Sequence, residues 1–232
     1  MFFYTPDIHS SRYTLNEEES IHAVRVLRLK AGDEVTLVDG RGGCYRACIT
    51  DPHHRHCGVE TLEHQTEYGK RSYRLHIGIA PTRNTDRFSW FVEKATEIGV
   101  DEITPLLCEH SERKQINTER LRRIMIAAMK QSKKAYLPQL NEMTNFGKWL
   151  ETTTGSHRYM AHCGEGDRQS LKTACRIGQD TIIAIGPEGD FSTHEVTQAM
   201  TLGFRGISLG TSLLRTETAG IAACHSVYLI NG

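Results

Sequence analysis

The chain has 232 residues, of which 38% are hydrophobic and 24% charged, with 28 basic side chains against 28 acidic ones. That length suits one large or two modest domains, and the composition is that of an ordinary globular protein rather than a disordered or fibrous one. With no net charge, composition alone makes no case for a nucleic-acid partner, and no apolar run approaches the roughly 18 residues of a membrane span.

The opening MFFYTPDIHSS has neither a positive n-region nor a small-residue cleavage site, so no signal peptide is expected. Seven cysteines, at positions 44, 48, 57, 108, 163, 175 and 224, are an odd number without a CxxC pair. They read as free thiols in a cytoplasmic protein. LNEEESIHAVRVLRL predicts a helix, and its end, HAVRVLRLK, carries Arg25, Arg28 and Lys30 without an acid. EVTLVD, CYRACIT and CGVETLEH are short β-type runs separated by turn signals such as GRGG, a pattern for a small antiparallel barrel or sandwich. HHRHC, residues 53–57, falls between two of these runs without matching distant ligands, and reads as an exposed loop rather than a metal site. The polar TEYGKRS marks a boundary between a domain at 1–68 and another at 73–232.

Beyond it, RLHIGIA predicts a strand, DRFSWFVEKATEIGV an amphipathic helix stopped by Gly99, and DEITPLL another strand. Residues 118–135 form a helical pattern with Leu121, Ile124, Met125, Ala128 and Met129 on one face. Arg120, Arg123, Lys130 and Lys134 share another face, which is either solvated or a stripe that meets RNA phosphates. RYMAHC, TIIAIG and RGISLG then alternate with helices at LKTAC, HEVTQAMTLG and TETAGIAACHSVYLI. Such alternation predicts an α/β domain on a mostly parallel sheet. TIIAIG, without polar alternation, suits a central strand covered on both faces.

Ligands of open α/β sheets bind beyond the carboxyl ends of the strands. Two such ends are unusual here, TIIAIG-PEGDFSTHEV and RGISLG-TSLLRTETAG. Gly186 and Gly189 permit close backbone approach, Pro187 fixes the turn, and Ser192 with Glu195 predicts a capping box. Thr216 is expected as the N-cap of the last helix, with Glu217 favourable in its first turn. Neither GxGxxG after a strand nor GxxxxGK[ST] occurs, which argues against a dinucleotide site and excludes a P-loop.

IIAIGPEGDFS and SLGTSLLRTETAGIAA together resemble the ribosomal RNA small subunit methyltransferase E family. LRLKAGDEVTLVDGRGG, EKATEIGVDEITPLL and AAMKQSKKAYLPQL extend the resemblance over nearly the whole chain. It implies a PUA-like β-barrel that binds RNA, followed by a SPOUT methyltransferase domain with a trefoil knot, working as a homodimer. It further implies S-adenosylmethionine as cofactor, 16S rRNA or the small ribosomal subunit as partner, methylation of uridine N3, and no metal. Carried onto this sequence, the cofactor residues are His162, Gly186, Pro187, Glu188, Gly189, Leu209, Gly210, Leu214, Arg215, Thr218 and Ala219. Arg215, Glu217 and Glu188 are the candidate catalytic groups, and Arg25, Arg28, Lys30, Arg83, Arg123, Lys130, Lys133 and Lys134 the RNA contacts.

Three positions depart from the family pattern. Gly189-Asp190 stands where GPEGG is usual, adding a carboxylate beside the cofactor loop; PTRNTDR, with Arg83 and Arg87, replaces a common lysine; and Lys133 or Lys134 replaces an arginine. A ribose 2′-O-methyltransferase of the same superfamily is the second reading, disfavoured because LLRTETA stands where that group carries SLNVSxA. A non-catalytic RNA-binding module is the third.

Overall fold

The computed structural model describes residues 1–164 and 168–232. The chain divides into two compact units, Met1–Lys70 with Ile126–Leu137, and Arg71–Met125 with Pro138–Gly232.

The first unit is built on a curled sheet. Its elements are β1 (Phe2–Tyr4), β2 (Arg12–Thr14), α1 (Glu17–Ile21), β3 (Glu34–Val38), β4 (Cys44–Asp51) and β5 (Gly58–Gln65). The strands lie in the order β1-β3-β4-β5-β2, with β1 parallel to β3 and the other pairs antiparallel. Asn16 caps α1 by accepting the Glu19 N–H at 2.9 Å. The helix continues as a π-helical turn, His22–Val26. The Asp39 carboxylate ties the β3–β4 turn by accepting the N–H groups of Arg41 at 2.7 Å and Gly43 at 2.9 Å. Alternate positions of the sheet, Leu37, Ala47, Ile49 and Val59, bury with Phe3, Leu15 and Ala23 as one core. A second cluster joins Phe2 and Val38 to Met129 and Ala135.

The second unit begins with β6 (Leu75–Ile79), α2 (Thr85–Ile98), β7 (Glu102–Leu107) and α3 (Thr118–Gln131), whose residues from Ile126 onward belong to the first unit. Short elements follow: β8 (Gln139–Leu140), β9 (Thr144–Asn145), α4 (Phe146–Thr152), β10 (Arg158–Ala161), β11 (Gln169–Ser170) and α5 (Leu171–Ala174). The unit closes with β12 (Thr181–Ile185), α6 (Thr193–Thr201), β13 (Arg205–Ser208) and α7 (Thr216–Asn231). Every described pair in its sheet is parallel, in the order β11-β13-β10-β12-β6-β7-β8, with β9 also on β7.

All five residues of β12 are buried, as a central strand requires. Ile182 and Ala184 face a cluster with Phe146, Trp149, Met160, Phe191 and Phe204. Ile183 therefore turns to the opposite face. Gly99, at φ 121°, ends α2, and Ser192 with Glu195 forms the expected capping box on α6. None of the seven cysteines forms a disulfide. No helix among the described residues is long and apolar enough to cross a membrane.

Candidate active site

Three neighbouring strands, β13, β10 and β12, end on one side of the sheet, and the loops that follow them enclose a cavity of about 500 Å³. The first loop gives His162 and Cys163, the second Gly186, Pro187, Glu188 and Asp190, and the third Leu209, Gly210, Leu214 and Arg215. Gly210, at φ 135°, needs glycine for its backbone. Ala219, one turn into α7, closes the wall, while Ile185 and Ile207 supply apolar surface.

Thr216 is not the N-cap of α7; Arg215 is, and no side chain caps the helix there. The Thr216 hydroxyl is buried and donates to the Gly186 carbonyl at 3.0 Å, joining the third loop to the second. A buried carbonyl needs a donor, which the Thr216 hydroxyl supplies.

His162 is buried, and its Nδ1 has no hydrogen-bond partner among the described residues. Burial pushes its imidazole below the ordinary 6.5, opposed by the nearby Asp190 carboxylate. On the rim, His110 Nδ1 bonds the carbonyls of Gly189 at 3.1 Å and Asp190 at 3.0 Å. The Asp190 carbonyl foremost, with that of Gly189 adding to it, holds His110 above 6.5.

A second cavity, of about 480 Å³, is lined by Arg83, Asn84, Arg87, Glu112 and Glu188. Glu188 therefore stands in the walls of both cavities. Its Oε1 accepts the Arg83 N–H at 2.9 Å. The Arg83 guanidinium pairs with Glu112 at 3.3 Å, and that of Arg87 lies 3.8 Å from Glu217.

Of the expected cofactor residues, the first cavity assembles His162, Gly186, Pro187, Glu188, Leu209, Gly210, Leu214, Arg215 and Ala219. Gly189 and Thr218 lie outside this lining, and a Cβ on Gly189 would meet the His110 Cβ at 3.1 Å. Glu217 is buried and faces Arg87. Cys163, Arg168 and Asp190 also line the cavity. Cys163 and Arg168 flank a third strand end, RYMAHC, whose place beside β12 the sequence pattern did not convey.

The basic stripe on α3 is not a continuous free face. Lys130 bonds the buried carboxylate of Glu19 at 2.6 Å, and Arg120 the exposed carboxylate of Asp86 at 2.8 Å. Glu19, being buried, demands such a partner. Arg25, Arg28, Lys30, Arg123 and Lys133 are exposed, and Lys134 is half-buried. His53 stacks on His56 at 3.5 Å and on His54 at 4.8 Å, and no group of three or more potential ligands able to hold a metal ion is found among the described residues.

Family models described as an RNA methyltransferase domain and an RNA methyltransferase PUA domain match residues 70–228 and 15–61. The chain is 30% identical over 216 residues to the ribosomal RNA small subunit methyltransferase E of Synechocystis, covering 90% of this chain and 70% of that protein. A crystal structure of a "probable rRNA-methyltransferase" from Porphyromonas gingivalis superposes with a TM-score of 0.93 at 41% identity, over 99% of this chain and 98% of the other. The ribosomal RNA small subunit methyltransferase E of Neisseria gonorrhoeae, crystallised with bound S-adenosyl methionine, gives 0.87 at 25%, over 99% and 97%. With matches that run through both units and through all three loops of the cavity, the chain belongs to the ribosomal RNA small subunit methyltransferase E family.

Proposed function

We propose that the chain is an S-adenosylmethionine-dependent enzyme that methylates N3 of a uridine in 16S rRNA. The observation that carries this reading is the shared wall: Glu188 borders the loop-built cavity on one side and the arginine-lined cavity on the other. The residues of the first cavity fit the cofactor. Its volume lies within the roughly 300–1,000 Å³ typical of small-molecule sites. Apolar side chains and backbone groups suit a nucleoside, and the orphaned His162 Nδ1 offers a polar contact.

When bound, the cofactor supplies an electrophilic methyl group. The chain must then align the acceptor and manage one proton. Uracil N3 becomes a nucleophile only on losing its proton, which Glu188 is placed to accept. Such a base contributes about 10²–10⁴-fold. The second cavity balances Arg83 and Arg87 against Glu112 and Glu188, which suits a neutral base with donor and acceptor edges better than a phosphate. Arg87 donates to a uracil carbonyl, and Glu217, held off the cofactor, positions Arg87. Arg215 stabilises the negative charge that develops on the ring.

A base reaches such a site only when unstacked, so looped or single-stranded rRNA is the substrate. Arg25, Arg28, Lys30, Arg123, Lys133 and Lys134 are assigned to phosphates. We also take the second unit to be trefoil-knotted, and the working enzyme to be a cytoplasmic homodimer. In support of the dimer, Trp90, Tyr228 and Leu229 leave exposed apolar surface on α2 and α7, helices packed on one another.

Titration with S-adenosylmethionine, followed by nucleoside analysis of methylated 16S rRNA, tests the reading. Saturable binding and N3-methyluridine are expected. 2′-O-methyluridine would move the chain to ribose chemistry, and a folded chain that does not bind the cofactor would be an RNA-binding module.

A further inference from the structure

Asp190 occupies a backbone position that disfavours it. Its φ of 61° lies in the left-handed region, where glycine is at ease and most L residues are not. Aspartate is tolerated there when its side chain bonds locally. Asp190 does this and more. Oδ1 accepts the Phe191 N–H at 2.8 Å, within its own loop. Oδ2 reaches the Cys163 N–H at 2.7 Å, in the loop after β10, 27 residues away in the chain. Both Asp190 and Cys163 line the first cavity. The backbone around the carboxylate is fixed as well, by the Asp190 N–H bonded to the Pro187 carbonyl at 2.9 Å and by His110 on the carbonyls of Gly189 and Asp190.

We propose that Asp190 is a positioning residue for the cofactor: its carboxylate clips the loop after β10 to the loop after β12 and holds two walls of the cavity at their binding separation. This rests on the reading of that cavity as the cofactor site. A carboxylate that accepts a backbone N–H makes a stronger bond than a neutral acceptor. The His162 ring, adjacent to Cys163, is held in the wall by the same clip. A preorganised wall lowers the ordering cost of binding, so the benefit falls on affinity rather than on the chemical step.

Asp190→Gly and Asp190→Asn separate the clip from the backbone strain. Glycine removes both bonds and relieves the left-handed backbone, whereas asparagine tolerates that backbone and keeps one acceptor oxygen. Calorimetry with S-adenosylmethionine should show affinity weakened about tenfold or more in Asp190→Gly, with Asp190→Asn between it and the wild type. Amide hydrogen exchange at Cys163 should accelerate in the same order. Cofactor affinity should fall by a larger factor than the single-turnover methylation rate measured at saturating cofactor.

Unchanged or tighter binding by Asp190→Gly would overturn the proposal, because the carboxylate would then only strain the turn. So would weakened binding with Cys163 protection intact. A wild-type chain that fails to bind S-adenosylmethionine overturns the cofactor reading and this proposal together, whereas wild-type binding with an unaffected variant overturns the proposal alone.

Discussion

Arg215 stands where the third loop turns into α7, its backbone extended and its side chain exposed at the first cavity. If it stabilises charge on the uracil ring, Arg215→Lys keeps the charge and loses the planar fork of donors. The single-turnover rate should fall about tenfold or more with little change in cofactor affinity. Equal loss of rate and affinity would make Arg215 a wall residue instead. Individual residues of the site were unevenly legible. Leu209, Gly210 and Arg215 follow from the rule that ligands sit beyond strand ends. The use of the Thr216 hydroxyl on Gly186 was not legible, because a threonine before a helical run carries the same local signal whether it caps or reaches across to another loop. Asp190 stood out as a departure, yet only the φ of 61° and the bond to Cys163 give the carboxylate a task.

At the scale of elements, the packing of α7 on α2 depends on Gly220. A Cβ there would meet Phe91 Cε2 at 2.6 Å and Ile79 Cδ1 at 2.9 Å, atoms of fully buried side chains. Gly220→Ala should destabilise the protein by about 1–3 kcal/mol through overpacking, although alanine is the better helix former. Gly147→Ala in α4 is the control, since its new methyl meets nothing closer than 3.4 Å. Thermal melts of the two variants should move in opposite directions, and a stabilised Gly220→Ala would contradict the packing. The long elements were readable because their patterns are strong: a 3.6-residue period over α2 and α3, a long mostly apolar stretch for α7, and an unbroken apolar run for β12. The short strands β1, β2, β8, β9 and β11 and the helix α4 were not, since two to seven residues cannot display a period. The grouping of residues 126–137 with the first unit was likewise invisible, because a helix carries no mark of the residues it will meet.

For the whole molecule, pH acts through two imidazoles, the buried His162 and the half-buried His76. Burial lowers the pKa of His76, with Glu102 opposing and Arg74 reinforcing, and burial likewise lowers that of His162. Below the ordinary 6.5 the unfolded chain takes up protons that the folded chain refuses, so the unfolded state binds more protons and stability rises with pH there. That stability is present above 6.5 and is lost as pH falls through the folded values. His110, raised by the loop carbonyls, works in the opposite sense, but it is exposed and solvent screens it. Melting temperature should therefore be level above about pH 7 and drop on acidification, with a smaller drop in His162→Gln. A melting temperature that rises on acidification would refute the assignment. The overall architecture was legible as alternating strands and helices behind a β-rich segment. The strand order was not, because periodicity places residues on faces and says nothing of neighbours.

That order has a kinetic consequence. The central strand β12 pairs with β6, and Arg74 donates to Asp180 across 106 residues of chain. Non-local parallel pairing pays its loop-closure entropy before any contact repays it, so the second unit belongs to the slow-folding class. Until β12 docks, β6 and β10 both present unpaired edges, the state in which a chain is most prone to aggregate. The walls of the cavity hang from β10, β12 and β13 and are complete only when that docking is, so cofactor binding should recover during refolding no sooner than β12 docks.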